Sequence, residues 1–144
     1  MAEFENTIAI SQSALRAQTL RMRLIAENLA NANTVTDSAT TIYRRKVPVF
    51  KTVVNQTIAS GNSSTTPEAG HVQLKKITVD NSSPVREYSP AHPMADAQGY
   101  ITKPNINPII ESTDMREAQR SYEANLNVID SVKNLSMRTI DLLK

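Results

Sequence analysis

Cysteine and tryptophan are absent from the 144 residues, and glycine occurs only three times. Without cysteine there is no disulfide, no thiolate nucleophile and no cysteine-ligated metal, and thiol usage says nothing about the redox compartment. Aromatic residues are 4% of a chain that is 40% hydrophobic. Much of the apolar content is alanine, so a compact monomer of this length would bury little per residue, and a thin or assembled molecule is the expectation. An excess of one charge is lacking as well: sixteen Lys and Arg against fourteen Asp and Glu leave +2, which gives no electrostatic ground for nucleic-acid binding. No apolar run nears the roughly 20 residues that span a bilayer. The opening "MAEFENTIAISQSALRAQ" has neither the basic n-region nor the continuous apolar h-region of a cleaved secretory signal. Composition by itself points to the cytoplasm.

The helix breakers that do occur are confined. All seven prolines (48, 67, 84, 90, 93, 104 and 108) and all three glycines (61, 70 and 99) fall in the middle of the chain. Interior proline costs a helix about 3 kcal/mol and glycine about 1 kcal/mol, so long helices are allowed at both ends and forbidden between them. The expected class is α+β: an N-terminal helix over 1–34, a β-rich and loop-containing middle over 35–107, and a C-terminal helix over 108–144, the two helices packed as a coiled-coil-like pair.

In the first helix Ile8, Leu15, Met22 and Leu29 recur every seven residues, with Ile25 and Ala32 three residues after the last two. This predicts a seam, although its companion positions Ser11 and Gln18 are polar. The stretch "AENLANAN" closes the helix with Asn28, Asn31 and Asn33. Asn33 fits a left-handed helix end. Asn28 and Asn31 lie near the seam, where buried amides must find partners and thereby fix the register of a contact between subunits. In the last helix Asn107 is the expected cap and Pro108 the first residue. Met115, Ala118, Tyr122, Leu126, Ile129, Val132, Leu135, Ile140 and Leu143 then follow at helical spacing, Val128 and Leu142 widen the stripe, and Asn125 stands inside it. So broad a band predicts more than one neighbour.

Two strands are expected in the middle, over 43–54 and 71–80, the second with a bulge at Lys75–Lys76 where its alternation changes phase. A turn-rich loop is expected at 60–70, and a structured turn at 89–100 in which Pro90 and Pro93 restrict the backbone and Gly99 takes positive φ. Chemistry is sparse. His71 and His92 have no second ligand at helical spacing, so no metal or other cofactor is expected. Glu87 and Asp96 could be imagined as an acid/base pair, but the chain has few aromatics for the platforms a glycan cleft uses. The cluster Tyr43, Arg44, Arg45 and Lys46 reads either as a charged strand edge or as an outer contact for an acidic neighbouring surface.

The residues "SALRAQTLRMRLIAENLANANT" (13–34), "YRRKVPVF" (43–50), "REYSPAHPMADAQGYITKPNIN" (86–107) and "DMREAQRSYEANLNVI" (114–129) resemble the bacterial flagellar axial proteins, in particular their proximal-rod members. One departure is "TVTDSATTIY" (34–43), which follows the asparagines where hook and distal-rod relatives have Thr-x-Gly-aromatic. The resemblance implies a non-enzymatic structural subunit whose terminal helices pack against each other and against neighbours around a hollow helical tube that transmits torque. It implies an assembly interface through Ile8, Leu15, Met22, Ile25, Asn28, Leu29, Asn31, Tyr122, Asn125, Leu126, Ile129, Val132, Leu135 and Leu142, and an outer contact through Arg44, Arg45 and Lys46. The implied partners are other copies of the chain, neighbouring rod proteins of the FlgB, FlgF, FlgG and FliE types, and the flagellar type III export apparatus. Nucleic acid and a membrane span are not implied. Location in the periplasmic rod follows, with export that needs no cleaved signal and that Phe4 and Ile8 of "FENTI" fit as an export element. The competing expectation is a helical adaptor or secretion chaperone, which would share the seams but form a small oligomer.

Overall fold

A computed structural model describes residues 2–36, 41–54 and 70–142. The expected loop at 60–70 lies outside these apart from Gly70, as does Leu143. Six elements follow in order: α1 (Ala2–Asn31), β1 (Lys46–Val53), β2 (His71–Val79), β3 (Val85–Tyr88), β4 (Tyr100–Lys103) and α2 (Pro108–Asp141). The α+β class is the one observed.

Each long helix has a local cause. Glu3 and Glu5 in the first turn of α1 favour the positive end of the helix dipole. Its mid-helix hydroxyls are absorbed by the preceding turn, Thr7 and Thr19 each donating to the carbonyl four residues back at 2.9 Å. In α2, Asn107 caps as expected, its side-chain oxygen accepting from the Ile109 amide at 2.9 Å, with Pro108 beginning the helix.

The hydrogen bond between Asn28 and Glu111 joins the C-terminal end of α1 to the N-terminal end of α2, so the pair is antiparallel. The seam between them departs from the expected one. On α1 the described buried residues are Ser11, Ala17, Leu24, Ile25 and Asn28, with Ala32 buried just past its end and Ala17 on the side that lies by Phe50 and Val72 of the middle region; on α2 they are Glu111, Ala118 and Val132. Ser11, Ile25 and Ala32 belong to the row that the sequence marks as a poor companion, and the fourth member of that row, Gln18, has its Oε1 buried with no partner among the described residues. The row Ile8, Leu15 and Met22 is only half-buried, and Leu29 is exposed. Ser11 and Ala118 are both small and buried, and small side chains in a seam let two helices approach closely, which a leucine row would prevent.

A second face of α1 carries the β1–β2 hairpin. The two strands are antiparallel, Lys46 opposite Val79 and Val53 opposite His71, and the register skips Lys75 between the Val49–Lys76 and Phe50–Leu74 pairs. The bulge is where the sequence phase change puts it. The hairpin runs back along α1, its far end fixed by the Val72 amide donating to Ser13 Oγ at 3.0 Å. The β3–β4 pair was not expected as strands. It is antiparallel, Val85 opposite Lys103, and Thr36 joins it by a bridge to Thr102. Ile101 of β4 is buried, as is Ile106 just after the strand.

Candidate assembly surface

The buried row of α2 (Glu111, Ala118, Val132, with half-buried Asn125) divides its apolar band in two. At about 100° per residue, Tyr122, Leu126, Met137 and Ile140 fall on one flank, and Val128, Leu135 and Leu142 on the other. Leu126, Val128, Leu135, Met137, Ile140 and Leu142 are all exposed, Leu135 at 52% and Leu142 at 87%. One helix thus has its central stripe covered by α1 and a stripe uncovered on each side. Scattered exposed leucines would need no explanation, whereas rows at helical spacing mark a contact surface. Among the described residues the nine buried apolar ones include three alanines, so the uncovered rows are large against the core they flank.

The expected interface residues divide accordingly. Leu29, Leu126, Leu135 and Leu142 are exposed, and Ile8, Leu15, Met22, Asn31, Tyr122, Asn125 and Ile129 are half-buried at the margins of the pair. Ile25, Asn28 and Val132 are instead buried inside the chain, because α1 and α2 cover each other along those rows. The asparagines have different partners. Asn31 and Asn125 each donate to the carbonyl four residues earlier in their own helix, at 2.8 Å. Asn33 is not left-handed, since no described residue other than glycine has positive φ. The helix closes instead through a turn in which the Thr34 amide and hydroxyl both donate to the Asn31 carbonyl.

Asn28 does find partners, but within the chain. Its Nδ2 donates to the Lys46 carbonyl at 3.0 Å and to Glu111 Oε2 at 3.1 Å. Its Oδ1 accepts from the Lys46 amide and from the Tyr43 hydroxyl, each at 2.9 Å. Glu111 Oε1 in turn accepts from Arg45 Nε at 2.5 Å, and Arg45 reaches Asp114 at 3.3 Å. Lys46 Nζ meets Glu27 at 3.0 Å and stands 5.5 Å from the Tyr43 ring centroid. Burial, chiefly, raises the Tyr43 phenol above its ordinary value, and the Glu27 bond, chiefly, raises Lys46. Of the three cations expected to make an outer contact, Arg45 and Lys46 meet acidic groups of the chain's own helix pair. Arg44 remains exposed, touching Asn81 at 3.4 Å.

The turn at 89–100 is built around Asp96. Its Oδ1 accepts from the Gln98 and Tyr100 amides, each at 2.9 Å, and its Oδ2 from Arg86 at 2.6 Å. Gly99 has φ 80°, and a Cβ there would stand 3.0 Å from the Tyr88 ring. Tyr88 and Tyr100 meet edge to face at 5.2 Å, with Arg86 over the Tyr100 ring. Glu87 is held by Lys103 at 2.6 Å, so the two carboxylates weighed as an acid/base pair each have a cation of their own. The Tyr100 amide, foremost, holds the Asp96 carboxyl below its ordinary value of 3.8. A depressed folded-state value means the stabilisation is complete above the unfolded value and is lost as pH falls through the folded one. The turn is expected to stay closed at neutral pH and to loosen only below about pH 4, read from the amide NMR shifts of Gln98 and Tyr100. Asp96→Asn should remove that acid step, and an unchanged step in the variant would assign it elsewhere.

Among the described residues no helix is long and apolar enough to cross a membrane. Comparison with known proteins gives two findings. Residues 97–142 match the family model described as flagellar basal body rod FlgEFG protein C-terminal. Nearly the whole chain is also similar to proteins named flagellar basal-body rod protein FlgC. That of Agrobacterium fabrum is 42% identical over 136 residues, covering 94% of this chain and 91% of the relative. That of Aquifex aeolicus is 36% identical over 144 residues, covering 100% of both. That of Bacillus subtilis is 34% identical over 151 residues, covering 96% and 97%.

Proposed function

The chain belongs to the flagellar basal-body rod protein FlgC family, and from that membership we propose how this structural subunit of the rod assembles. The observation that carries the proposal is the pair of uncovered apolar rows flanking the seam of α2, Leu126, Met137 and Ile140 on one side and Val128, Leu135 and Leu142 on the other. Each row is the right width for one neighbouring helix, so the α1–α2 pair serves as the inner unit of a helical tube and inserts between two others. The middle region forms an outer layer, and interlocked helices pass torque along the proximal rod. The neighbours are further copies of the chain and rod proteins of the FlgB, FlgF, FlgG and FliE types. The subunit reaches its periplasmic position through the flagellar type III export apparatus with Phe4 and Ile8 as its export element, and its work is packing, without catalysis. A helical adaptor or secretion chaperone is not favoured.

The lack of cysteine makes a direct test simple. Leu126→Cys and Leu142→Cys, made singly, are expected to react with a maleimide in the isolated chain and to be protected in purified basal bodies. A protection ratio of about tenfold or more would follow from burial of the thiol at a packed interface. Equal labelling in both states would show that these rows face solvent in the rod.

A further inference from the structure

We infer that Asn28, Glu111 and Arg45 set the register of the helix pair: they select the axial offset between α1 and α2, which the apolar seam leaves ambiguous. The covered rows repeat every seven residues, Ser11, Gln18 and Ile25 on α1 with Ala32 just past its end, and Glu111, Ala118, Asn125 and Val132 on α2. Several of these side chains are small, and Ala118, at 0% exposure, offers no knob to lodge in a particular hole. Sliding α2 by one heptad would bring similar rows together again at little cost in buried area.

The polar cluster has no such tolerance. Asn28 and Glu111 are each 1% exposed and are the largest fully buried side chains among the described residues. Asn28 has both amide protons donated and its oxygen accepting twice, and Glu111 uses one oxygen for Asn28 and the other for Arg45. A network satisfied in this way fits one offset, because any slide leaves a carboxylate and an amide buried without partners. Lys46 begins β1 and Arg45 directly precedes it, so the same bonds fix where the hairpin leaves the pair. The offset in turn decides which outward positions of the two helices stand level with each other. These residues act by positioning; the inference concerns the isolated chain and stands apart from how the rod assembles.

The test reads the offset separately from stability. Cysteines introduced at exposed Ala26 and Glu117 carry spin labels, and the distance between them is measured by pulsed electron resonance. With the network intact a single distance population is expected. Asn28→Leu combined with Glu111→Leu removes both buried polar side chains together and leaves only partly buried partners, the Lys46 backbone, the Tyr43 hydroxyl and Arg45, so the helical circular dichroism signal should be retained at a lowered melting temperature. The distance distribution, however, should gain a second population displaced by up to about 10 Å, the rise of one heptad. A single population at the original distance would overturn the inference. Should the double variant lose its helical signal, Asn28→Leu alone, which keeps the Glu111–Arg45 pair, is read in the same way and against the same two outcomes.

Discussion

Leu135→Asp is expected to leave the isolated chain folded and to abolish rod assembly, and swimming with it. Leu135 is 52% exposed in the single chain, so the substitution removes little intramolecular burial and should change stability by about 0.5 kcal/mol or less. In the rod the same side chain lies, by our proposal, against a neighbouring helix. An aspartate there would be a charge taken out of water without a partner, at several kcal/mol per contact. Every copy carries the penalty, so assembly fails as a whole. Circular dichroism and melting of the purified variant should match the parent, while electron microscopy finds no rods and soft-agar plates show no spreading. Asn127→Asp, on an exposed part of the same helix away from both apolar rows, is expected to assemble and swim. Normal motility of Leu135→Asp would show that this row is not an interface.

A different kind of loss is expected from Arg45→Ala, which acts inside the chain. The Glu111 side chain is 1% exposed and its cation is Arg45, itself 27% exposed. Removing the guanidinium leaves a carboxylate buried with only the Asn28 amide as a donor. Breaking a buried ion pair by deleting one partner costs about 3–5 kcal/mol, and the partial exposure of Arg45 places this case near the lower end. The second pair, to Asp114, has a partner that is 41% exposed and adds little. A loss near 3 kcal/mol is a large part of the stability of any single domain, and urea denaturation measures it directly. Arg45→Lys should recover only part, because an ammonium cannot bond Glu111 and Asp114 together as the guanidinium fork does. A loss below about 1 kcal/mol would mean that water replaces the cation at Glu111.

The two predictions separate surfaces that the sequence alone merges. Leu135 and Val132 lie three residues apart on one periodic stripe, yet the first faces outward and the second is buried against α1. Period shows that a stripe is apolar, and only the position of the neighbouring helix shows which part of it is already covered. The same limit applies to the first helix, where the leucine row looks like the seam and the smaller-residue row beside it is the one that α2 covers. Close approach favours small side chains, a property that hydrophobic strength does not report.

The basic cluster makes the point for charge. An acidic docking surface was one of two readings of Arg45 and Lys46, since three consecutive cations beside a strand must be solvated or paired. That the surface is Glu27, Glu111 and Asp114 of the same chain depends on contacts with separations of 19, 66 and 69 residues. No local pattern encodes those pairings. The β3–β4 strands were missed for a related reason: with four residues each, they are too short for alternation to declare itself.

By itself, the sequence determined where helices could form, since every proline and glycine lies between 48 and 108. It also determined the Asn107 cap, the Lys75 bulge and the positive φ of Gly99, because each depends on one residue and its immediate neighbours. Only the tertiary structure decided which stripe each helix hides, that Asn28 answers to Glu111 and Lys46 within the chain, and which leucines are left for a neighbour. The physical reason is that backbone preference acts over a few residues, whereas burial and ion pairing are settled by segments far apart in the chain meeting in space.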